Sequence, residues 1–123
     1  MAPLNTSRLN EIFDLLTHPD RRYVLYHLRT KARDVGIETL AAAIADWNEA
    51  HSGMERASRI DKIKTALYHT HLPKLAKAGF ITIDTTMDSI GLARTDGLDR
   101  FLADAAPIDG YGHITADGTT TRP

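Results

Sequence analysis

The 123-residue sequence predicts a mainly α-helical domain that carries one small β-hairpin. Three observations predict this fold class. Apolar residues recur at helical spacing over five segments. Two short runs of alternating apolar and polar residues flank a polar turn within residues 80–92. Pro19 and Gly79 stand at segment boundaries, where proline favours a helix start and glycine a helix end.

Composition restricts the classes of protein that need to be considered. The hydrophobic share is 42% and the charged share 25%, which are ordinary values for a soluble globular protein. The chain has no cysteine, which excludes disulfides and thiolate chemistry. It shows no signal peptide, and no apolar run approaches the roughly 20 residues that cross a bilayer. We therefore expect a cytoplasmic protein.

The length suits a single domain with one hydrophobic core. We expect this domain to span residues 8–105, after a flexible N-terminus at residues 1–7. Gly, Thr, Pro and Asp dominate the end of the chain, and such a composition does not build a core. Residues 106–123 are therefore predicted to form a flexible C-terminal tail.

The first two helices follow directly from the apolar spacing. A helix over residues 8–17 has one apolar face, and Pro19 then opens a second helix over residues 19–31. The apolar positions of the second helix cover much of its circumference. We therefore expect it to be the central and most buried helix.

Two further helices are separated by a loop. The third helix is predicted over residues 38–49 and the fourth over residues 59–78, ending at Gly79. Residues 51–58 lack apolar periodicity and are predicted to be a loop, longer than the three or four residues of a tight helix-turn-helix.

The fourth helix contains a proline and two histidines. Pro73 removes one helical hydrogen bond, so a kink is expected near residues 69–73. His69 and His71 are two positions apart and point about 200° away from each other on a helix, so they cannot share one ion. No other histidine pair has helical spacing, and we expect no metal site. His71 is interpreted as a structural histidine that hydrogen-bonds backbone groups freed by the proline.

The β-hairpin follows the fourth helix. Its strands are predicted at residues 80–84 and 89–92, and the extended segment at residues 35–37 is placed to pair with it. A last helix is predicted over residues 96–105. This order of elements predicts a winged helix-turn-helix with flanking N- and C-terminal helices.

Particular residues also resemble a known family. Phe13-Asp14-Leu15-Leu16 and Pro19-Asp20-Arg21-Arg22-Tyr23-Val24-Leu25-Tyr26-His27-Leu28 resemble the opening of arsenic-repressor-like winged helices. The run Leu67-Tyr68-His69-Thr70-His71-Leu72-Pro73-Lys74-Leu75-Ala76-Lys77-Ala78-Gly79-Phe80-Ile81 is similar to a haloarchaeal group of small winged-helix proteins. The resemblance covers residues 9–93. It implies that residues 59–78 form the recognition helix, although the long turn and an acidic wing tip depart from the repressor pattern.

Positive charge is concentrated around this helix. Residues 1–79 carry a balance of +3 and residues 80–123 a balance of −4, while residues 54–78 contain six basic and two acidic residues. Basic side chains grip DNA phosphates, and polar side chains on the groove-facing side read base edges. The candidate DNA-binding residues are Arg56, Arg59, Lys62, Lys64, Thr65, Tyr68 and His69. The alternatives are a solvated basic face and, for Tyr68, packing against the hairpin.

The first and last helices both carry apolar faces. In winged-helix regulators such terminal helices often pair two subunits, as the resemblance implies. The candidate dimer-interface residues are Leu9, Ile12, Phe13, Leu16, Leu98, Phe101 and Leu102. The alternative is that these faces pack against each other within one chain.

Together these features predict a homodimeric transcription regulator that binds double-stranded DNA without a cofactor. The sequence contains no nucleophile elbow and no glycine-rich phosphate loop, so an enzyme is not expected. The alternative function is a protein-interaction module that keeps the fold without binding DNA. The acidic hairpin residues Asp84 and Asp88 and the net charge of −1 favour this alternative.

Overall fold

A computed structural model describes residues 6–31, 34–48, 53–95 and 97–111. Within these residues the chain is mainly helical with a small antiparallel sheet, and the predicted winged-helix-like fold class is confirmed. The elements are α1 (Thr6–Leu16), α2 (Pro19–Arg29), β1 (Val35–Gly36), α3 (Ile37–Trp47), α4 (Arg56–Ala66), a π-helical turn (Leu67–His71), α5 (Leu72–Lys77), β2 (Ile81–Asp84), β3 (Ser89–Leu92) and α6 (Asp99–Ile108). No helix among the described residues is both long enough and apolar enough to span a bilayer.

The second helix lies at the centre of the core, as its apolar pattern predicts. It packs between α1, α3 and α6. Its buried apolar residues point in several directions around the helix axis: Tyr23, Val24, Leu25, Tyr26 and Leu28. Pro19 stands in the first turn, where its missing N–H has no helical partner to lose. His18 caps this end because its Nδ1 accepts the N–H of Asp20 at 3.2 Å.

The three strands form one antiparallel sheet in the order β1-β3-β2. Ile90 of β3 lies opposite Val35 on one side and Ile83 on the other, so the extended segment before α3 pairs with the hairpin as expected. In the hairpin turn Asp88 has a φ of 53°, a left-handed conformation that aspartate tolerates better than most residues.

The disruption expected near Pro73 is a π-helical turn. The N–H of Leu72 donates to the carbonyl of Leu67, five residues earlier. In a regular α-helix, residues five positions apart point about 140° away from each other. The wider turn instead lets Leu67 and Leu72, which are both almost fully buried, face one core.

The folded domain extends beyond the predicted boundary at residue 105. Helix α6 continues to Ile108, and the residues after it are held against α2. The carboxylate of Asp109 accepts hydrogen bonds from Arg22 Nε at 2.7 Å and from the hydroxyl of Tyr26. The Arg22 hydrogen bond lowers the pKa of Asp109. Trp47 Nε1 also donates to the carbonyl of Asp109 at 2.8 Å, and the ring of Tyr111 packs against Tyr23 and Tyr26. The composition of the segment gives no sign of these contacts because only a few of its residues make them.

Other boundaries also differ from the predicted ones. Helix α1 begins at Thr6, α3 ends at Trp47 and α4 begins at Arg56, so the segment between α3 and α4 lies earlier in the chain than the loop predicted at residues 51–58. Of the predicted flexible ends at residues 1–7 and 106–123, residues 1–5 and 112–123 lie outside the described residues, as do residues 51–52 of the predicted loop.

Candidate nucleic-acid interface

One side of the domain is a basic helical surface made by α4, the π turn and α5. Between Arg56 and Lys77 the sequence has six basic residues and one acidic residue, Asp61. The inner side of this segment contributes Ile63, Leu67 and Leu75 to the core. The opposite side therefore remains exposed to solvent.

Three of the seven predicted DNA-binding residues are exposed and make no side-chain hydrogen bond or ion pair among the described residues: Lys62, Thr65 and His69. They follow one another along the chain at steps of three and four residues. Such steps place side chains on neighbouring parts of one helical face. This trio is therefore available for contact with another molecule.

Two other predicted cations are paired with carboxylates of α3. Arg56 donates to both carboxylate oxygens of Asp46, from Nε at 3.1 Å and from Nη2 at 3.0 Å. The ammonium group of Lys64 lies 3.1 Å from Glu38 Oε2. These acids reach α4 because α3 packs along it.

The remaining two predicted DNA-binding residues, Arg59 and Tyr68, donate hydrogen bonds to other parts of the chain. Arg59 donates from Nη1 to the carbonyl of Met54 at 3.0 Å, at the entrance to α4. The hydroxyl of Tyr68 donates to Asp88 Oδ1 at 2.5 Å in the hairpin turn, and this bond raises the pKa of Tyr68. Tyr68 is still 44% exposed, so it lies at the surface while also fixing the hairpin to the helix.

A polar cluster that the sequence does not reveal lies beside this surface. His18, Asp20 and His71 place one potential ligand atom each within 4.8 Å of one another. Together with Asn48 and Lys62 they line a cavity of about 300 Å³. The three residues come from the start of α2 and from the π turn, so sequence spacing gives no sign of the cluster.

The hydrogen bonds of this cluster do not suit a metal ion. Both imidazole Nδ1 atoms face donors, since His18 Nδ1 accepts the Asp20 N–H and His71 Nδ1 lies 3.3 Å from Arg21 Nη1. Arginine can only donate, so the proton of each neutral ring must be on Nε2. A metal at Nε2 would instead require the other ring nitrogen to carry a proton and donate it. We therefore assign no metal to this cluster.

His71 is a buried structural histidine, but its partner is not the expected one. Its Nδ1 meets Arg21 on α2 rather than backbone freed by Pro73, because the π turn directs the ring towards α2. Burial is the main cause that lowers the pKa of His71 to about 4, and the neighbouring His18 and Arg21 add to it. His71 is therefore neutral at neutral pH.

The apolar face predicted for dimerisation is divided into two parts. Leu9, Phe13 and Phe101 are exposed, and with Ile12 they border a groove of about 210 Å³ between α1 and α6. The other three predicted residues are buried within the chain: Leu16, Leu98 and Leu102. Leu16 and Leu98 still line the groove, so their place in an interface stays a prediction, whereas the fully buried Leu102 has no surface left for a second subunit.

The fold and the basic surface define a winged-helix-like domain with an accessible polar helix. In comparison with protein families, residues 13–90 match the model described as "Domain of unknown function (DUF7344)", and the chain belongs to this family. The match runs from α1 to β3 and so includes α4, the π turn and the hairpin strands. No curated protein and no solved structure matches the chain.

Proposed function

We propose that this protein is a DNA-binding transcription regulator of the winged-helix type, which contacts duplex DNA through α4 and the π turn. The observation that carries the proposal is the exposed side of this helical segment, with its excess of basic over acidic residues. An α-helix fits the major groove, where polar side chains can reach base edges. Thr65 and His69 supply such side chains, and Lys62 supplies a charge for a phosphate.

The hairpin contributes little to this proposed contact. Its turn presents Asp84 and Asp88, and Asp84 is occupied in accepting backbone N–H groups of the turn at 3.0 and 3.2 Å. Carboxylates repel phosphates, so the helix carries the interaction by itself. The affinity of one subunit is therefore expected to be modest and sensitive to salt.

A second copy of the chain would increase this affinity. We propose a cytoplasmic homodimer that needs no cofactor and joins through the exposed residues Leu9, Phe13 and Phe101 together with the partly buried Ile12. A two-fold dimer presents two equivalent helices, which can occupy successive major-groove faces about 34 Å apart. This arrangement would double the number of cations that face the DNA.

A fluorescence-anisotropy titration tests the DNA contact. The protein is titrated into a labelled random-sequence duplex at several salt concentrations, alongside the variants Lys62→Glu and Arg100→Glu. Both substitutions change the net charge by the same amount, but Arg100 lies on α6 and is 91% exposed. We expect Lys62→Glu to weaken binding roughly tenfold, since it removes a phosphate contact and adds repulsion, and Arg100→Glu to have little effect.

Two results would contradict the proposal. If the natural protein does not bind DNA at low salt, the DNA-binding function is wrong and a protein-interaction module becomes the better explanation. If both variants weaken binding equally, the protein responds only to net charge and α4 is not the contact surface.

A further inference from the structure

Three surface side chains of α4 and the π turn form ion pairs or hydrogen bonds with carboxylates of neighbouring elements. Glu38 and Asp46 of α3 pair with Lys64 and Arg56, and Asp88 of the hairpin turn accepts the hydroxyl of Tyr68. The start of α3 adjoins the hairpin turn, since the N–H of Ile37 donates to the carbonyl of Asp88 at 3.1 Å. Each of the three acids meets a side chain that the sequence makes a candidate for binding DNA.

The position of Asp46 is informative because it does not stabilise its own helix. Asp46 lies in the last turn of α3, at the negative end of the helix dipole, where a carboxylate is unfavourable. Its carboxylate instead accepts hydrogen bonds from two guanidinium nitrogens of Arg56, Nε and Nη2. A bidentate contact with an arginine is also how a phosphate is bound.

Both ion pairs are accessible enough to be exchanged. The Arg56 and Asp46 side chains are 55% and 59% exposed, whereas the second pair joins a Lys64 that is 30% exposed to a Glu38 that is 67% exposed. Exposed pairs of this kind are weak, since water screens the charges and long side chains lose freedom. A phosphate can therefore replace either carboxylate without disturbing the core.

We propose that Glu38 and Asp46 occupy Lys64 and Arg56 in the free protein as intramolecular substitutes for DNA phosphates, and that DNA must displace them to bind. This inference rests on the proposed function. The carboxylates thereby lower the affinity of the interface. They keep two cations from contributing to weak, non-specific association until a duplex is positioned along α4.

The test compares neutral substitutions at these acids with matched substitutions elsewhere. The variants are Glu38→Gln, Asp46→Asn and the two combined, and the controls are Glu11→Gln and Asp104→Asn. The controls also remove exposed carboxylates from ion pairs, with Arg8 on α1 and Arg100 on α6. Every single variant raises the net charge by one, so a general charge effect would be equal in all of them.

We expect each α3 substitution to tighten binding to the random duplex by roughly two- to fivefold, the equilibrium equivalent of a weak surface ion pair. The slope of log K against log salt should change little in these variants, because Lys64 and Arg56 contact phosphates in the natural complex as well as in the variant complexes. The controls should show only the general effect of one added charge, because their carboxylates do not meet a cation of the interface.

The outcomes separate this inference from the proposed function. If the natural protein binds DNA but the α3 variants bind no more tightly than the controls, the carboxylates do not compete with DNA and the inference is wrong. If neither the natural protein nor the combined variant binds at low salt, the DNA-binding function itself fails.

Discussion

At the scale of single residues, burial determines the charge of the His71 ring. The ring is 4% exposed, contacts the ring of His18 with centroids 4.2 Å apart, and accepts a hydrogen bond from Arg21. Arg21 is itself held by the carbonyl of Leu15 at 2.7 Å. Burial disfavours a charged ring, and the neighbouring His18 and Arg21 add to this effect, so His71 stays neutral at neutral pH.

This arrangement predicts a loss of stability in mild acid. The pKa of His71 is about 4 in the folded protein, below the unperturbed value of 6.5. The unfolded chain therefore binds more protons between these values, and stability falls as the pH drops from 6.5 towards 4. His27, whose pKa burial also lowers, acts in the same direction.

Urea denaturation at several pH values checks this prediction. We expect the free energy of unfolding to fall by up to about 3 kcal/mol over that interval through His71 alone. In His71→Gln, where the amide oxygen can still accept from Arg21, the fall should be clearly smaller. His69→Gln is the matched control because His69 is exposed, and a fall equal in all three proteins would refute the assignment to His71.

At the scale of elements, the π turn sets the rotation of α5 relative to α4 about the helix axis. Pro73 lies in the first turn of α5, where a missing N–H is tolerated. Burial of Leu67 at the start of the turn and of Leu72 and Leu75 after it fixes the rotation of the helix on each side. The π turn therefore follows from packing on both sides as well as from the proline.

A Pro73→Ala variant is accordingly expected to keep the π turn. The proline ring restricts the unfolded chain, so its removal should lower the free energy of unfolding by about 0.4–1 kcal/mol. Hydrogen-bond scalar couplings measured by NMR would show whether the N–H of Leu72 still pairs with Leu67. A regular α-helical pattern through residues 67–73 in the variant would show that the proline alone maintains the turn.

At the scale of the whole molecule, the groove between α1 and α6 leaves an apolar surface open. Leu9 and Phe13 are 51% and 53% exposed on one helix face, and Phe101 lies across the groove. An isologous dimer would cover this surface with its own equivalent. Leu16 and Leu98 are almost fully buried and line the groove beneath these residues.

The proposed dimer can be tested by light scattering at micromolar concentration. We expect a dimeric mass for the natural protein and a monomeric mass for Phe13→Asp, because the variant places a charge in the centre of the apolar face. Met87→Asp is the control, since Met87 is 70% exposed in the hairpin turn, away from the groove. A monomeric mass for the natural protein would refute the dimer.

The sequence by itself determined the fold class, the central helix and the position of the helical disruption. These features depend on local signals: the apolar period of α2, the alternating strands and the chemistry of Pro73. The seven candidate DNA-binding residues could also be found from sequence, because charge and helical spacing place them on one segment. Whether they bind DNA stays a prediction.

The tertiary structure alone decided which side chains meet. Asp46 and Glu38 reach cations of α4 only because α3 packs along it, and His71 meets Arg21 across 50 residues of chain. Packing of the helices also buries Leu102 in the core and leaves the adjacent Phe101 at the surface. Spacing along a chain determines the face that a helix presents, whereas the partner of that face depends on how the helices pack.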